Sequence, residues 1–141
     1  MTPDQVTLVQ QSFAKVAPIS EQAAVLFYDR LFEVAPSVKS MFPADMTEQR
    51  KKLMGTLAVV VNGLTNLEAV LPAASALAKR HVGYGAKPEH YPVVGAALLW
   101  TLEKGLGEAW TPEVAGAWTA AYGTLSGFMI SEAYGSAQAA E

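Results

Sequence analysis

The chain has no cysteine among its 141 residues. That excludes disulfides, thiolate zinc sites, iron–sulfur clusters and cysteine nucleophiles together. Charge is scarce as well: Asp, Glu, Lys and Arg make up 16% of the sequence, against roughly 25% in an ordinary soluble domain. Ten basic residues against 13 acidic ones give a net charge of −3. The basic residues gather only at 50–52 and 79–80, so the stripe that a nucleic-acid partner requires is missing. Long hydrophobic runs are absent too, since the densest, 93–100, falls far short of the ~20 residues of a membrane helix. Residues 1–11 carry no cationic segment followed by an apolar one, as a secretory signal would. These absences lead us to expect a soluble, cytoplasmic protein that meets neither nucleic acid nor membrane.

Hydrophobic residues account for 51% of the chain, enough for one well-buried domain at this length. Proline and glycine leave helix-length segments between them. Pro3 opens a first helix that meets Pro18, and Ser20 is read as the cap of a second running to 35–36. A short turn follows at 37–42, then a run from Thr47 to about Leu64, a segment at 66–81, one at 91–106 and a last at 111–134. Residues 57–61 end in three β-branched valines and lead into Asn62-Gly63, a hairpin dipeptide, but no alternating segment elsewhere offers a partner strand. The expectation is an all-α domain over 1–134 of about seven helical pieces, with a short, fraying tail at 135–141. Gly55, Gly63, Gly95, Gly123 and Gly127 fall inside helical segments, each costing ~1 kcal/mol against alanine. Close approach of a neighbouring helix or of a flat cofactor would explain some of them.

The residues that break an apolar face carry the chemistry. Val70, Ala74 and Leu77 recur at helical spacing, and the next position on their stripe is His81. An imidazole there is either a hydrogen-bonded C-terminal histidine or a metal or haem ligand. With no cysteine and one other histidine, a multi-histidine site is disfavoured, whereas a single axial ligand to haem needs only one. Met46, Leu53, Leu57, Val60 and Leu64 share a face on which Gln49 also falls, either at an exposed helix start or over a polar ligand in an apolar pocket. Tyr28 lies with Ala24, Leu31 and Ala35 on a third stripe, as a core tyrosine or as a second donor to the same pocket. Glu132 with Tyr91 or His81 is the one acid–histidine pairing in view, and a hydrolase built on His81 has no evident nucleophile.

The segments at 27–42 (FYDRLFEVAPSVKSMF), 49–54 (QRKKLM), 71–102 (from LPAASALAKRHVGYG to LLWTL) and 117–128 (AWTAAYGTLSGF) resemble a bacterial single-domain globin. They are similar to the globin part of flavohaemoglobins and to short neuroglobin-like bacterial globins. The resemblance implies a globin fold holding haem b. It places His81 as the proximal ligand, Tyr28 and Gln49 as distal residues, and Phe42 against the haem face, with Leu53 one turn beyond Gln49. Leu57, Leu77, Tyr91 and Val94 are expected to line the cofactor, and Arg80, or Lys52, to meet its propionates. His90 matches no ligand position and is expected on the surface.

In flavohaemoglobins a proximal glutamate joins the tyrosine and histidine in a network. Counting from 121–123 puts that position at Ala133, with Glu132 one residue early; one residue turns a helical side chain by about 100°. Oxygen at ferrous iron takes superoxide-like charge, which a phenol and an amide would stabilise. The resemblance therefore implies binding of O2, NO or CO. It also implies, as an alternative, nitric oxide dioxygenation with electrons from a separate reductase, since the chain ends at Glu141. A haem-free or redox-sensing interaction module is the third alternative. The chain itself is expected to be a monomer or a weak homodimer.

Overall fold

The computed structural model describes residues 2–42, 44–83, 87 and 89–139. Among these, six α-helices and four short 3₁₀ turns make up the fold, with no strand. Helix α1 (Pro3–Val16) starts at a reciprocal cap: Thr2 Oγ1 accepts from the Gln5 amide at 3.1 Å, and Gln5 Oε1 accepts from the Thr2 amide at 2.9 Å. Its face carrying Val9, Phe13 and Val16 is buried. After a 3₁₀ turn, α2 (Ser20–Val34) begins without a side-chain cap. The cap expected at Ser20 is not formed, because the turn Ala17–Ile19 feeds the helix directly, Ile19 occupies the capping position and Ser20 is already helical.

The piece expected at 37–42 is a 3₁₀ helix, Pro36–Met41, ending at Phe42. Helix α3 (Thr47–Asn62) follows, with Asp45 Oδ1 accepting from the Thr47 amide at 3.0 Å. This bond holds the Asp45 carboxyl below its ordinary pKa. The valine-rich stretch at 57–61 is helical throughout. Gly63 lies at the end of α3 and opens the 3₁₀ turn Gly63–Asn66. A Cβ at Gly63 would collide with the Val70 side chain of α4 (Leu67–Gly83). Helix α5 (His90–Leu106) and α6 (Pro112–Ala139) complete the fold. Thr111 Oγ1 accepts from the Val114 amide at 3.2 Å to start α6. Helix α6 continues to Ala139, past the expected end at 134, through a stretch containing alanines that favour helix.

The pairs α1–α6, α2–α5 and α4–α6 pack most extensively. A large apolar core runs from α1 through α2, α3 and α5 to α6, and includes Phe27, Tyr28, Leu31, Leu98, Leu102 and Trp118. A second, smaller cluster gathers Ala78, Tyr91 and Met129, with Leu77 and Ala133 against it. The first core contains one polar thread. Trp118 Nε1 donates to Ser12 Oγ at 2.8 Å, and that hydroxyl donates to the Leu8 carbonyl at 2.7 Å. Leaving such a buried indole N–H unmatched would cost ~1–3 kcal/mol. Helices α5 and α6 meet at Gly95, where a Cβ would lie 2.5 Å from the Tyr122 ring. Close approach thus accounts for Gly63 and Gly95, while a Cβ at Gly55, Gly123 or Gly127 would touch nothing within 4 Å.

Candidate functional site

Helix α2 and the segment after it bring a phenol and three rings together. Tyr28 is buried, and Phe42 reaches it edge-on with centroids 5.4 Å apart. Phe27 packs edge-on from the neighbouring position at 4.9 Å. Phe32, one turn beyond Tyr28, lies 5.9 Å from it and 5.4 Å from Phe42. From α3, Gln49 Nε2 donates to Tyr28 Oη at 3.1 Å. Two of the residues singled out from separate helices are therefore bonded to each other. The direction of the bond matters: an amide nitrogen only donates, so Tyr28 Oη is the acceptor and retains its own hydrogen for another acceptor. Burial pushes the Tyr28 phenol above its ordinary pKa, the Gln49 bond opposing the shift in part, so the hydroxyl is neutral at physiological pH. Leu53 and Leu57, on the same helix as Gln49, are half-buried against the main core.

The second group stands on α4 and α5. His81 is half-buried in the last turn of α4, and its Nδ1 lies 2.8 Å from the Leu77 carbonyl. A carbonyl can only accept, so Nδ1 is the donor and the tautomer so selected places the lone pair on Nε2. Burial is the main cause that lowers the His81 pKa, with the Arg80 charge adding to it and the Leu77 bond opposing. The ring is accordingly neutral at physiological pH. Tyr91 is buried and stacks on His81, with centroids 6.3 Å apart and planes at 29°. Tyr122 donates to the Tyr91 carbonyl at 2.6 Å, and burial pushes its phenol well above the ordinary range. Ala133 packs on the Ala78–Tyr91–Met129 cluster, whereas Glu132 is exposed.

The sequence-derived residues thus fall into two sets, Tyr28, Phe42 and Gln49 in one, Leu77, His81 and Tyr91 in the other, with Leu53 and Leu57 against the large core. Val94 packs with the large core, and Arg80 and Lys52 are exposed. His90 is half-buried rather than on the open surface. It opens α5, and its Nδ1 accepts from the Lys87 amide at 3.0 Å. Phe32 and Tyr122 were not singled out. Phe32 is an aromatic residue one turn after Tyr28, a signal that helical spacing provides; Tyr122 acts across α5 and has no local mark.

Among the described residues no group of three or more His, Asp or Glu side chains could hold a metal ion. No helix among them is long and apolar enough to cross a membrane. The donor set fits haem, with one neutral imidazole whose Nε2 carries the lone pair and a separate pair of neutral donors among aromatic rings.

Comparison with known proteins gives the family. The globin family model matches residues 25–129. A flavohemoprotein of Rhodopirellula baltica is 35% identical over 128 residues, covering 89% of this chain and 31% of that protein. One of Bacillus subtilis is 35% identical over 109 residues, 74% of this chain and 27% of that protein. The chain spans about a third or less of the length of these relatives. A solved bacterial globin from Campylobacter jejuni superposes with a TM-score of 0.83 at 29% identity, covering 94% of this chain and 96% of that one. The chain therefore belongs to the globin family, the haem proteins that bind small ligands.

Proposed function

We propose that this globin binds O2 at a ferrous haem b that His81 would hold, with Tyr28 and Gln49 as the donors to the bound ligand. Haem, when bound, would be held by His81 and would supply a ferrous iron able to take a diatomic ligand. The other tasks belong to the chain. The Leu77 carbonyl holds the His81 ring by its Nδ1–H, fixing the tautomer that directs Nε2 outward from α4. The rings of Phe27, Phe32 and Phe42 exclude water from around the Tyr28 hydroxyl. Exclusion strengthens a hydrogen bond, because a dry pocket screens the donor less than solvent does.

The observation that carries the reading is the bond from Gln49 to Tyr28. Because the amide gives its hydrogen to the phenol oxygen, the phenol hydrogen is directed away from Gln49, toward a ligand that gains negative charge. The amide's second hydrogen is a further donor. Tight binding and slow release of O2 follow. Reduction of the purified protein without air, followed by admission of air, tests this. A five-coordinate ferrous spectrum that converts to a stable oxygenated one is expected. A six-coordinate ferrous spectrum would give the oxygen position to a side chain and favour redox sensing, and no haem band after haem is added would overturn the reading.

A second reading, nitric oxide dioxygenation, is favoured by the flavohemoprotein relatives. It needs an electron for each cycle, which a reductase would provide. The proximal side weighs against it, since Ala133 faces the Tyr91 cluster and Glu132 faces solvent. A carboxylate bonded to the proximal network would increase the donor strength of the histidine. Nitrate formed over many turnovers with NO, O2 and a supplied reductase would establish this activity; nitrate limited to one equivalent per haem would leave a binding protein.

A further inference from the structure

Tyr28 is tied by its oxygen to Gln49, but a single hydrogen bond does not fix the ring that bears the oxygen. Rotation about the Cα–Cβ bond would carry the hydroxyl several ångströms along the pocket. What opposes this is packing, and the packing is asymmetric. Phe27 meets the ring edge-on from the adjacent position of α2, and Phe42 edge-on from beyond the 3₁₀ helix. Among the described residues, Phe32 is the one ring that touches both Tyr28 and Phe42, at 5.9 Å and 5.4 Å, closing a triangle of three aromatic side chains. Its planes are tilted by 36° to Tyr28 and by 59° to Phe42, so its faces and edges engage both rings at once.

Phe32 lies one helical turn from Tyr28, so the space it fills is the space into which a displaced phenol would lean. It is half-buried rather than buried, and accounting for it as core alone leaves its double contact unused. We propose that Phe32 is a positioning residue for the distal pocket: it fixes the direction of the Tyr28 hydroxyl and couples that direction to the place of Phe42. This inference rests on the distal reading given above. It sets how uniformly the pocket presents its donor to a diatomic ligand, not whether the chain holds haem.

The consequence is spectroscopic. In the haem-loaded, reduced protein with CO as the probe, the C–O stretch falls as a hydrogen-bond donor approaches, so a phenol held in one direction gives one dominant band. Phe32→Leu keeps apolar volume and removes the ring, while Phe32→Tyr keeps the ring. We expect Phe32→Leu to split or broaden the band and to displace the Gln49 side-chain amide resonance. It should also speed O2 release about threefold to tenfold, part of the worth of one hydrogen bond. Phe32→Tyr should restore the single band. Should Phe32→Leu lower the melting temperature yet leave the band, the amide resonance and the release rate as in the parent, Phe32 is core filler and the proposal is wrong. If Phe32→Leu does not fold, Phe32→Met gives the same decision. Tyr28→Phe separates the two ideas: a C–O stretch that it leaves unmoved defeats the distal reading itself, whereas a shift with Tyr28→Phe and none with Phe32→Leu defeats only the role of Phe32.

Discussion

The two groups of candidate residues are built on opposite plans. On the α2–α3 side the polar groups are bonded across helices, Gln49 of α3 to Tyr28 of α2, and set among aromatic rings from two further positions. On the α4 side the histidine is bonded within its own helix, to Leu77 one turn earlier, and is stacked on Tyr91 from α5. A bond within a helix survives small shifts of that helix, because donor and acceptor move together. A bond between helices is lost when they separate. The side we assign to the iron ligand is therefore locally self-contained, and the side we assign to the diatomic ligand depends on how α2 and α3 are held together.

The contrast can be broken most severely at His81. Replacing it with Ala should abolish retention of haem through gel filtration, read as the ratio of Soret to protein absorbance, and added imidazole should restore it. Full retention without imidazole would move the axial ligand elsewhere. Next in size, Tyr28→Phe should speed O2 dissociation roughly tenfold to a hundredfold, the worth of a hydrogen bond to a charged acceptor, measured by stopped flow. It should leave haem retention intact, and an unchanged off-rate would remove Tyr28 from the pocket.

Gln49→Leu sharpens the comparison, since it removes one donor and the partner that orients the other. We expect about a fivefold faster release, less than for Tyr28→Phe. A larger effect than that of Tyr28→Phe would make Gln49 the principal donor. The smallest effect is a pH dependence on the α4 side. Burial lowers the His81 pKa from its ordinary 6.5, so the folded chain binds fewer protons than the unfolded one. Its contribution to stability is complete above about pH 6.5 and is lost progressively as the pH falls from there through the lower folded-state value. Ligation at Nε2 acts in the same direction. The melting temperature should fall between pH 7 and pH 5.5 more in the parent than in His81→Gln; equal falls would show that His81 contributes nothing.

The sequence made the helices and the members of both groups legible because each rests on spacing within one helix. Tyr28, Gln49 and His81 each interrupt an apolar stripe, and the stripes are local. What it did not reveal depends on contacts between helices. The Gln49–Tyr28 bond joins two segments whose relative placement no periodicity gives. Ser20 looked like a cap, yet the preceding 3₁₀ turn left it no free helix end. The thread from Trp118 through Ser12 joins the last helix to the first, and nothing beside either residue marks it. His90 matched no ligand position, and its role at the start of α5 depends on the backbone of the preceding loop.

The meeting of Gly95 and Tyr122 has a consequence for descent. With a Cβ at 95 placed 2.5 Å from the Tyr122 ring, any larger residue at 95 is barred while the tyrosine stays. Loss of the tyrosine, in contrast, leaves the glycine tolerated though poorly filled. The order of change is therefore constrained: a lineage can exchange Tyr122 first and Gly95 afterwards, but the reverse path passes through an overpacked intermediate. The crossing of α5 and α6 thus acts as a one-way gate in sequence space, and the two positions are expected to vary as a pair.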